Sequence, residues 1–161
     1  MPEPLTEAGP PAAARGPLTV WEVTEPADLS IVRTALCERA SEHVRRNSVG
    51  AVPVLASSAE RVGLVFSELA TNALRHGRTP VTVTLSRSAD GWLLTVSDAH
   101  RDEGPVVVER ARSRSGGHGI RLVTQLSRLV GWYRDPELKH VWAEVPDSPS
   151  PQLMASLQVA R

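Results

Sequence analysis

Two alternating segments joined by a turn constrain the fold of this chain more than any other feature. The segments VTVTLSR, residues 81–87, and GWLLTVSD, residues 91–98, each place apolar side chains at every second position. Such alternation is typical of a half-buried β-strand, and the intervening Asp90-Gly91 pair favours a hairpin turn. The sequence therefore predicts an antiparallel β-hairpin over residues 81–98.

Helical patterns lie on both sides of this hairpin. Apolar residues recur at helical spacing over residues 26–47, 53–76 and 120–131. Gly77 follows the second helix, where it is expected to form a left-handed C-terminal cap. Residues 17–24 favour a strand, and the segments WYRD and HVWAEV favour a closing hairpin around PELK.

The order of these elements predicts an α+β fold. It is a two-layer α/β sandwich, with a mixed, mostly antiparallel sheet and helices on one face. Residues 99–119 are predicted to form a mobile loop with a short helix at 107–112. Residues 1–16 are interpreted as a disordered tail and 147–161 as a C-terminal tail, which leaves one domain over 17–146.

Composition excludes several classes of protein. The 18 basic and 18 acidic residues balance, so no global field attracts nucleic acid or anionic lipid. Cys37 is the single cysteine, which excludes an intrachain disulfide, favours a cytoplasmic location and is interpreted as a small buried filler. No zinc-type spacing, signal peptide or apolar run of about 18 residues is present.

A carboxylate and an amide interrupt the apolar second helix. Glu68 and Asn72 are four residues apart, so they project from the same side of the helix, at the rim of its apolar face. Taken alone, such a pair is more often surface polarity or a hydrogen bond to a neighbouring loop. A functional interpretation needs further motifs.

Two further motifs follow along the chain. Asp98 ends the strand GWLLTVSD, where its carboxylate is free to accept from an exocyclic amine such as the N6 group of adenine, or simply starts a turn. Gly116, Gly117 and Gly119 precede the third helix, where backbone amides favour an anion. Here too, a flexible loop meeting a helix is the simpler alternative, and neither a Walker A loop nor a dinucleotide fingerprint is present.

Together and in this order, the motifs resemble a known family. SELATNALRHG, LLTVSDAH, GGHGIRLV and KHVWAEV are similar to the GHKL, or histidine-kinase-like, ATPase superfamily. Within it, the chain most resembles the anti-sigma-factor serine kinases, small ATP-binding regulators of partner-switching systems. The resemblance covers residues 18–146.

The resemblance implies a role for each matching residue. Glu68 is expected to be the general base, Asn72 a ligand of Mg²⁺ that bridges the nucleotide phosphates, and Asp98 the acceptor for adenine. Arg75 is expected to contact phosphate. The glycine box is expected to bind ATP where the lid meets the last helix; it consists of Gly117, His118 and Gly119. Arginines of the lid would neutralise phosphate charge: Arg110, Arg112 and Arg114.

The chain departs from the superfamily pattern at the first glycine box. His100 and Asp102 stand where the usual Asp-x-Gly-x-Gly has its two glycines, which reduces the room beside adenine. Leu138 replaces the glycine that usually precedes the lysine of the last motif; this lysine, Lys139, is the only one in the chain. His76, which matches the N-box histidine, is interpreted as a helix-end residue beside Gly77.

The expected function is that of an ATP- and Mg²⁺-dependent protein-serine kinase. It would phosphorylate an anti-sigma-factor antagonist and hold a sigma factor inactive, with no direct contact to nucleic acid or membrane; the family implies a homodimer. One alternative is a non-catalytic, nucleotide-gated switch, which the changed glycine box favours. Another is an unrelated α+β domain that binds no ATP.

Overall fold

The chain forms one six-stranded sheet covered by helices. The computed structural model describes residues 5–11, 19–47, 57–102, 104–105 and 119–159. The strands within these ranges are β1 (Thr6–Glu7), β2 (Thr19–Val23), β3 (Val81–Arg87), β4 (Gly91–Asp98), β5 (Leu129–Arg134) and β6 (Lys139–Pro146). The helices are α1 (Asp28–Asn47), α2 (Ser58–His76), α3 (Gly119–Leu126) and α4 (Pro151–Val159).

The sheet is mixed and mostly antiparallel. Its strand order is β1-β5-β6-β4-β3-β2, and only the short pairing of β1 with β5 is parallel within the described residues. The predicted hairpin is present as β3 and β4, with Val83 opposite Val96 and Leu85 opposite Leu94. The α+β two-layer sandwich predicted from the sequence is therefore confirmed.

Helix α2 lies at the centre of the helical layer. It packs on β3, β4 and β6, and it also contacts α1 and α3. Helix α1 contacts β2 and α3 contacts β5, and these strands lie toward opposite edges of the sheet. The apolar face of α2 is buried in a core shared with the inward side chains of β3, β4 and β6; its larger members are Val62, Val65, Phe66 and Leu69. Helices α1 and α3 consequently flank α2 on its two sides.

The third predicted helix is wrong at its C-terminal end. It was expected over residues 120–131, but α3 ends at Leu126 and β5 begins at Leu129. The apolar run LVGWYR continues a helical spacing, yet its β-branched and aromatic residues pair with β6 from Leu129↔Glu144 to Arg134↔Lys139. Pairing with β6 overrides the local helical pattern.

The N-terminal segment differs from the disordered tail predicted for residues 1–16. Thr6 and Glu7 pair with Gly131 and Trp132 of β5. The indole N–H of Trp132 donates to the Leu5 carbonyl at 3.2 Å, and that of Trp142 donates to the Ala8 carbonyl at 2.8 Å. These contacts cover the edge of β5, which would otherwise be open. The composition of residues 1–16 does not indicate them.

Other boundaries agree with the sequence to within a few residues. β2 lies within the predicted strand 17–24, α1 lies within the predicted helix 26–47, and α2 begins at Ser58 inside the predicted helix 53–76. α4 lies within the predicted C-terminal tail and packs Leu153 against the core. The short helix predicted at 107–112 lies outside the described residues. None of the helices described here is long and apolar enough to span a bilayer.

Candidate functional site

A polar stripe runs along one side of α2. Glu68 and Asn72 are both half-buried and lie one turn apart on this helix, as their spacing predicts. Among the residues that the structure describes, neither side chain makes a hydrogen bond or an ion pair. Half-buried polar groups of this kind are available to a ligand.

The stripe faces away from α1. A Cβ built at Gly63 would lie 2.7 Å from the Cys37 Sγ, so the Gly63 side of α2 contacts α1. Asn72 follows Gly63 by nine residues, which is about two and a half helical turns. Asn72 therefore points to the opposite side of α2, the side on which α3 flanks this helix.

Asp98 lies at the end of β4, deep in the structure. It is 1% exposed, and its Oδ1 accepts the backbone N–H of His100 at 2.7 Å. Its Oδ2 lies 3.5 Å from the Nζ of Lys139, which is the residue opposite Asp98 on β6. The acid is thus a member of a buried ion pair, an arrangement that the sequence analysis did not predict.

Gly77 joins Asp98 to the end of α2. Its N–H donates to the Ala73 carbonyl at 2.7 Å, but its φ of −94° and ψ of −162° are extended. The left-handed cap predicted for this glycine is therefore wrong. A Cβ there would lie 2.5 Å from the Ala73 carbonyl oxygen and 2.6 Å from the Asp98 Cγ, so glycine is required by close approach.

The departures from the first glycine box have a structural counterpart. The backbone of His100 turns back onto Asp98 through the hydrogen bond to Oδ1, while Asp102 is exposed. Leu138, in place of a glycine, belongs to a tight turn in which its N–H donates to the Asp135 Oδ1 at 2.8 Å. In the described part of the chain, no residue other than glycine has a positive φ, so none of these three positions demands glycine in this conformation.

The remaining predicted site residues are distributed differently. Gly119 is the first residue of α3, and Arg75 is exposed near the end of α2. His76 is exposed as the last residue of α2, beside Gly77. Several predicted positions lie outside the described residues, namely Arg110, Arg112, Arg114, Gly117 and His118. Their roles stay predictions.

The described residues carry the acceptor and ligand groups that a nucleotide with Mg²⁺ would require. A carboxylate offers about four acceptor sites, of which His100 and Lys139 face two sides of Asp98, so capacity remains for an amino group. An amide oxygen such as that of Asn72 is a hard ligand suited to Mg²⁺, which keeps most of its waters. No cluster of three or more His, Cys, Asp or Glu side chains able to hold a metal occurs in the described ranges. A metal held mainly by phosphates and one protein group does not need such a cluster.

Fold and site together define an α+β sandwich with a polar helix stripe beside an acid at the end of a central strand. The family model for the histidine kinase-like ATPase domain matches residues 25–145. The match spans well over half of the 161 residues, and the chain belongs to this family. Domains of this kind bind ATP, usually together with Mg²⁺. A search of curated proteins gives no match.

Two buried basic residues that hold parts of the structure together were not predicted from the sequence. Arg61 is fully buried, and its Nη2 donates to the carbonyls of Pro146 at 2.5 Å and Asp147 at 3.0 Å. Burial lowers the pKa of Arg61 to about 10, an effect that nearby Asp147 opposes. Lys139 is the buried partner of Asp98. The sequence offered two indications for Lys139: it is the only lysine in an arginine-rich chain, and it matches the lysine of the last family motif.

Cys37 lies outside this site. It lines a polar groove of about 540 Å³ between α1 and the start of α2, and its thiol donates to the Ala59 carbonyl at 3.5 Å. Partial burial, followed by the charge of Glu60, raises the pKa of this thiol. A raised pKa disfavours the reactive thiolate, in agreement with a packing role.

Proposed function

We propose that this protein is an ATP-binding regulator with protein-serine kinase activity, of the anti-sigma-factor kind. Its substrate would be a serine hydroxyl of an anti-sigma-factor antagonist, and its second partner a sigma factor. Regulation of transcription would follow from partner switching rather than from contact with nucleic acid. The single cysteine, Cys37, supports a reducing cytoplasmic setting.

One observation supports this function above the others. Glu68 and Asn72 lie together on the side of α2 away from α1, half-buried and without side-chain partners among the described residues. The same helix is followed by its C-cap residue Gly77, which lies directly against Asp98. One helix thus relates a candidate base and a candidate metal ligand to the acid expected to hold adenine.

Phosphoryl transfer would require the protein mainly to position the reactants and to neutralise charge. The serine oxygen would attack the γ-phosphorus of ATP, ADP would leave, and the Glu68 carboxylate would accept the serine proton. Asn72 would hold Mg²⁺, which neutralises charge on the phosphates. Arg75 and the basic residues of the lid would supply further positive charge near the phosphates.

A non-catalytic switch is the second candidate. The replacement of two glycines by His100 and Asp102, and the pairing of Asp98 with Lys139, favour a protein that binds its partners with little or no turnover. In that case nucleotide binding would change partner affinity, and Glu68 would have no chemical role. The two candidates differ in one measurable property, the appearance of phosphoserine.

The test uses the purified full chain with Mg²⁺-ATP and candidate antagonist proteins of the same organism. We expect phosphoserine on the antagonist. Glu68→Ala should keep ATP affinity, measured by calorimetry, and abolish transfer, whereas Asp98→Asn should weaken ATP binding. Binding without transfer in the parent protein would favour the switch, and no binding of ATP at millimolar concentration would overturn both candidates.

A further inference from the structure

Lys139 occupies a singular position in this chain. It is the only lysine among 18 basic residues, and its side chain is 6% exposed. The register of β4 and β6 places it directly opposite Asp98, whose side chain is 2% exposed. A lysine buried to this extent needs a compensating anion, and Asp98 provides one.

A comparison with the neighbouring cation, Arg134, shows how Lys139 differs in burial and in hydrogen-bonding geometry. Arg134 lies opposite Lys139 on β5, and it is half-exposed and pairs with Glu7 at the sheet edge. Arginine holds a carboxylate with a planar fork, whereas lysine brings a compact ammonium with three rotatable donors. Position 139 therefore combines a small charged head with donors that can be redirected.

The contact between the two charges is loose. The 3.5 Å between the Lys139 Nζ and the Asp98 Oδ2 exceeds the roughly 2.7–2.9 Å of a tight charge-assisted hydrogen bond. Asp98 also accepts the His100 N–H on its other oxygen. An acceptor with spare capacity and a donor with three protons thus stand side by side at the end of α2, where Asp98 touches Gly77.

A neighbouring acceptor and donor complement one edge of adenine. The N6 amino group of adenine donates, and the adjacent ring nitrogen N1 accepts. We propose that Asp98 and Lys139 read this edge together, Asp98 accepting from N6 and Lys139 donating to N1, so that Lys139 is a specificity-determining residue. This inference rests on the proposed binding of ATP and adds a second base-reading residue to it.

The proposed hydrogen bond joins the Lys139 ammonium to N1 of adenine. The experiment removes N1 by changing the nucleotide and removes the ammonium by changing the protein. Calorimetry measures the affinity of the full chain for ATP, for 1-deaza-ATP, which lacks the N1 acceptor, and for 7-deaza-ATP as a matched control. A hydrogen bond to a charged group corresponds to roughly tenfold or more in affinity. We expect 1-deaza-ATP to bind roughly tenfold more weakly than ATP, and 7-deaza-ATP to bind like ATP.

Variants of the protein remove the other partner of this hydrogen bond, the Lys139 ammonium. In Lys139→Met, ATP and 1-deaza-ATP should bind equally, within about twofold, because the donor is gone. Arg134→Met removes the adjacent cation and should keep the tenfold difference. If Lys139→Met folds poorly because Asp98 loses its counter-charge, the double variant Asp98→Asn with Lys139→Met leaves no buried charge. It should also lose the discrimination.

The possible results separate this inference from the proposed function. A discrimination against 1-deaza-ATP that persists in Lys139→Met, or in the double variant, would overturn the role of Lys139 and leave ATP binding intact. Equal binding of ATP and 1-deaza-ATP by the parent protein would do the same. Failure of all three nucleotides to bind would overturn the proposed function, and this inference with it.

A second measurement reports on Lys139 without mutation. Because the chain has one lysine, protein labelled with ¹³C at the lysine ε-carbon gives one side-chain signal in an NMR spectrum. ATP and 7-deaza-ATP should move this signal in the same direction and by similar amounts, and 1-deaza-ATP should move it much less. Identical shifts with all three saturated nucleotides would contradict the contact to N1.

Discussion

The two ends of the candidate site are built in opposite ways. At the end proposed to face the phosphates, called the phosphate end below, Glu68 and Asn72 are half-buried on one helix and have no side-chain partners in the described part of the protein. At the end proposed to face adenine, called the base end below, Asp98 and Lys139 are buried, paired with each other and placed by strand register. Gly77 lies between the two ends, at the close of α2 and against Asp98.

This difference indicates which end is organised before a ligand arrives. The base end already holds its charges in a low-dielectric setting, where an unpaired partner is costly. The phosphate end offers an acid and an amide whose expected partners, a hydroxyl and a hydrated metal, come with the substrates. Substitutions at the base end should therefore act on stability as well as on nucleotide binding, whereas those at the phosphate end should act on binding and turnover with little effect on stability.

The largest expected effect tests this division directly. Lys139→Met leaves the buried Asp98 carboxylate without its cation, and we expect a loss of about 3–5 kcal/mol in the free energy of unfolding. Asn72→Ala at the other end should change this free energy by less than about 0.5 kcal/mol. Urea unfolding measures both. Similar losses in the two variants would contradict the contrast between the ends.

The same contrast explains what could be read from the sequence at the site. Glu68 and Asn72 belong to one helix, so the spacing of four residues was enough to place them on one side. The partner of Asp98 depends on the register between β4 and β6, which are separated in the sequence by residues 99–118, α3 and β5. No local pattern encodes that register, and the pairing of Asp98 with Lys139 could not be predicted.

The elements of the fold differ in the same way: some are encoded by local patterns, and others depend on contacts between distant segments. The hairpin β3–β4 was predicted because its alternation and its turn are local. Strand β5 was partly mistaken for helix, since LVGWYR fits a helical spacing and only pairing with β6 decides otherwise. The strand at Thr6–Glu7 rests on contacts with Trp132 and Trp142 at the far end of the chain.

The second prediction concerns Gly77, which connects the two ends. Gly77→Ala places a Cβ 2.5 Å from the Ala73 carbonyl and 2.6 Å from the Asp98 Cγ, neither of which is a flexible chain end. We expect a loss of about 1–3 kcal/mol in the free energy of unfolding, measured with urea. Gly9→Ala is the matched control, because a Cβ there meets no atom within 4 Å, and it should leave stability unchanged. Equal behaviour of the two variants would argue against close packing at Gly77.

The third prediction separates the ends by their ligands. Removing Mg²⁺ should weaken ATP binding roughly tenfold, about 1.4 kcal/mol, and leave adenosine binding unchanged, because only the phosphate end is expected to use the metal. In Asn72→Ala, ATP affinity should depend much less on Mg²⁺. Calorimetry with and without a chelator measures both effects. A Mg²⁺ dependence that is equal in the parent and in Asn72→Ala would remove Asn72 from the metal site.

The fourth and smallest expected effect is on stability at acidic pH. It concerns side chains beside the base end, on the opposite face of the sheet from Asp98 and Lys139. Beside Asp98 and Lys139, the Ser97 Oγ lies 2.7 Å from the His140 Nδ1, and the His140 Nε2–H donates to the Asp135 Oδ2 at 2.7 Å. The hydrogen bond from His140, with those from Leu138 and Glu137, lowers the pKa of Asp135 from 3.8 to about 2.

A carboxyl whose pKa is lower in the folded state stabilises the fold above its unfolded pKa, and this contribution disappears as the pH falls through the folded pKa. We therefore expect the melting temperature of the parent protein to fall between pH 4 and pH 2 more steeply than that of Asp135→Asn. Thermal unfolding followed by circular dichroism measures this dependence. Parallel curves across the acid range would mean that the Ser97–His140–Asp135 chain does not support the strand ends that carry Asp98 and Lys139. The acid response would then have to be assigned to other carboxylates.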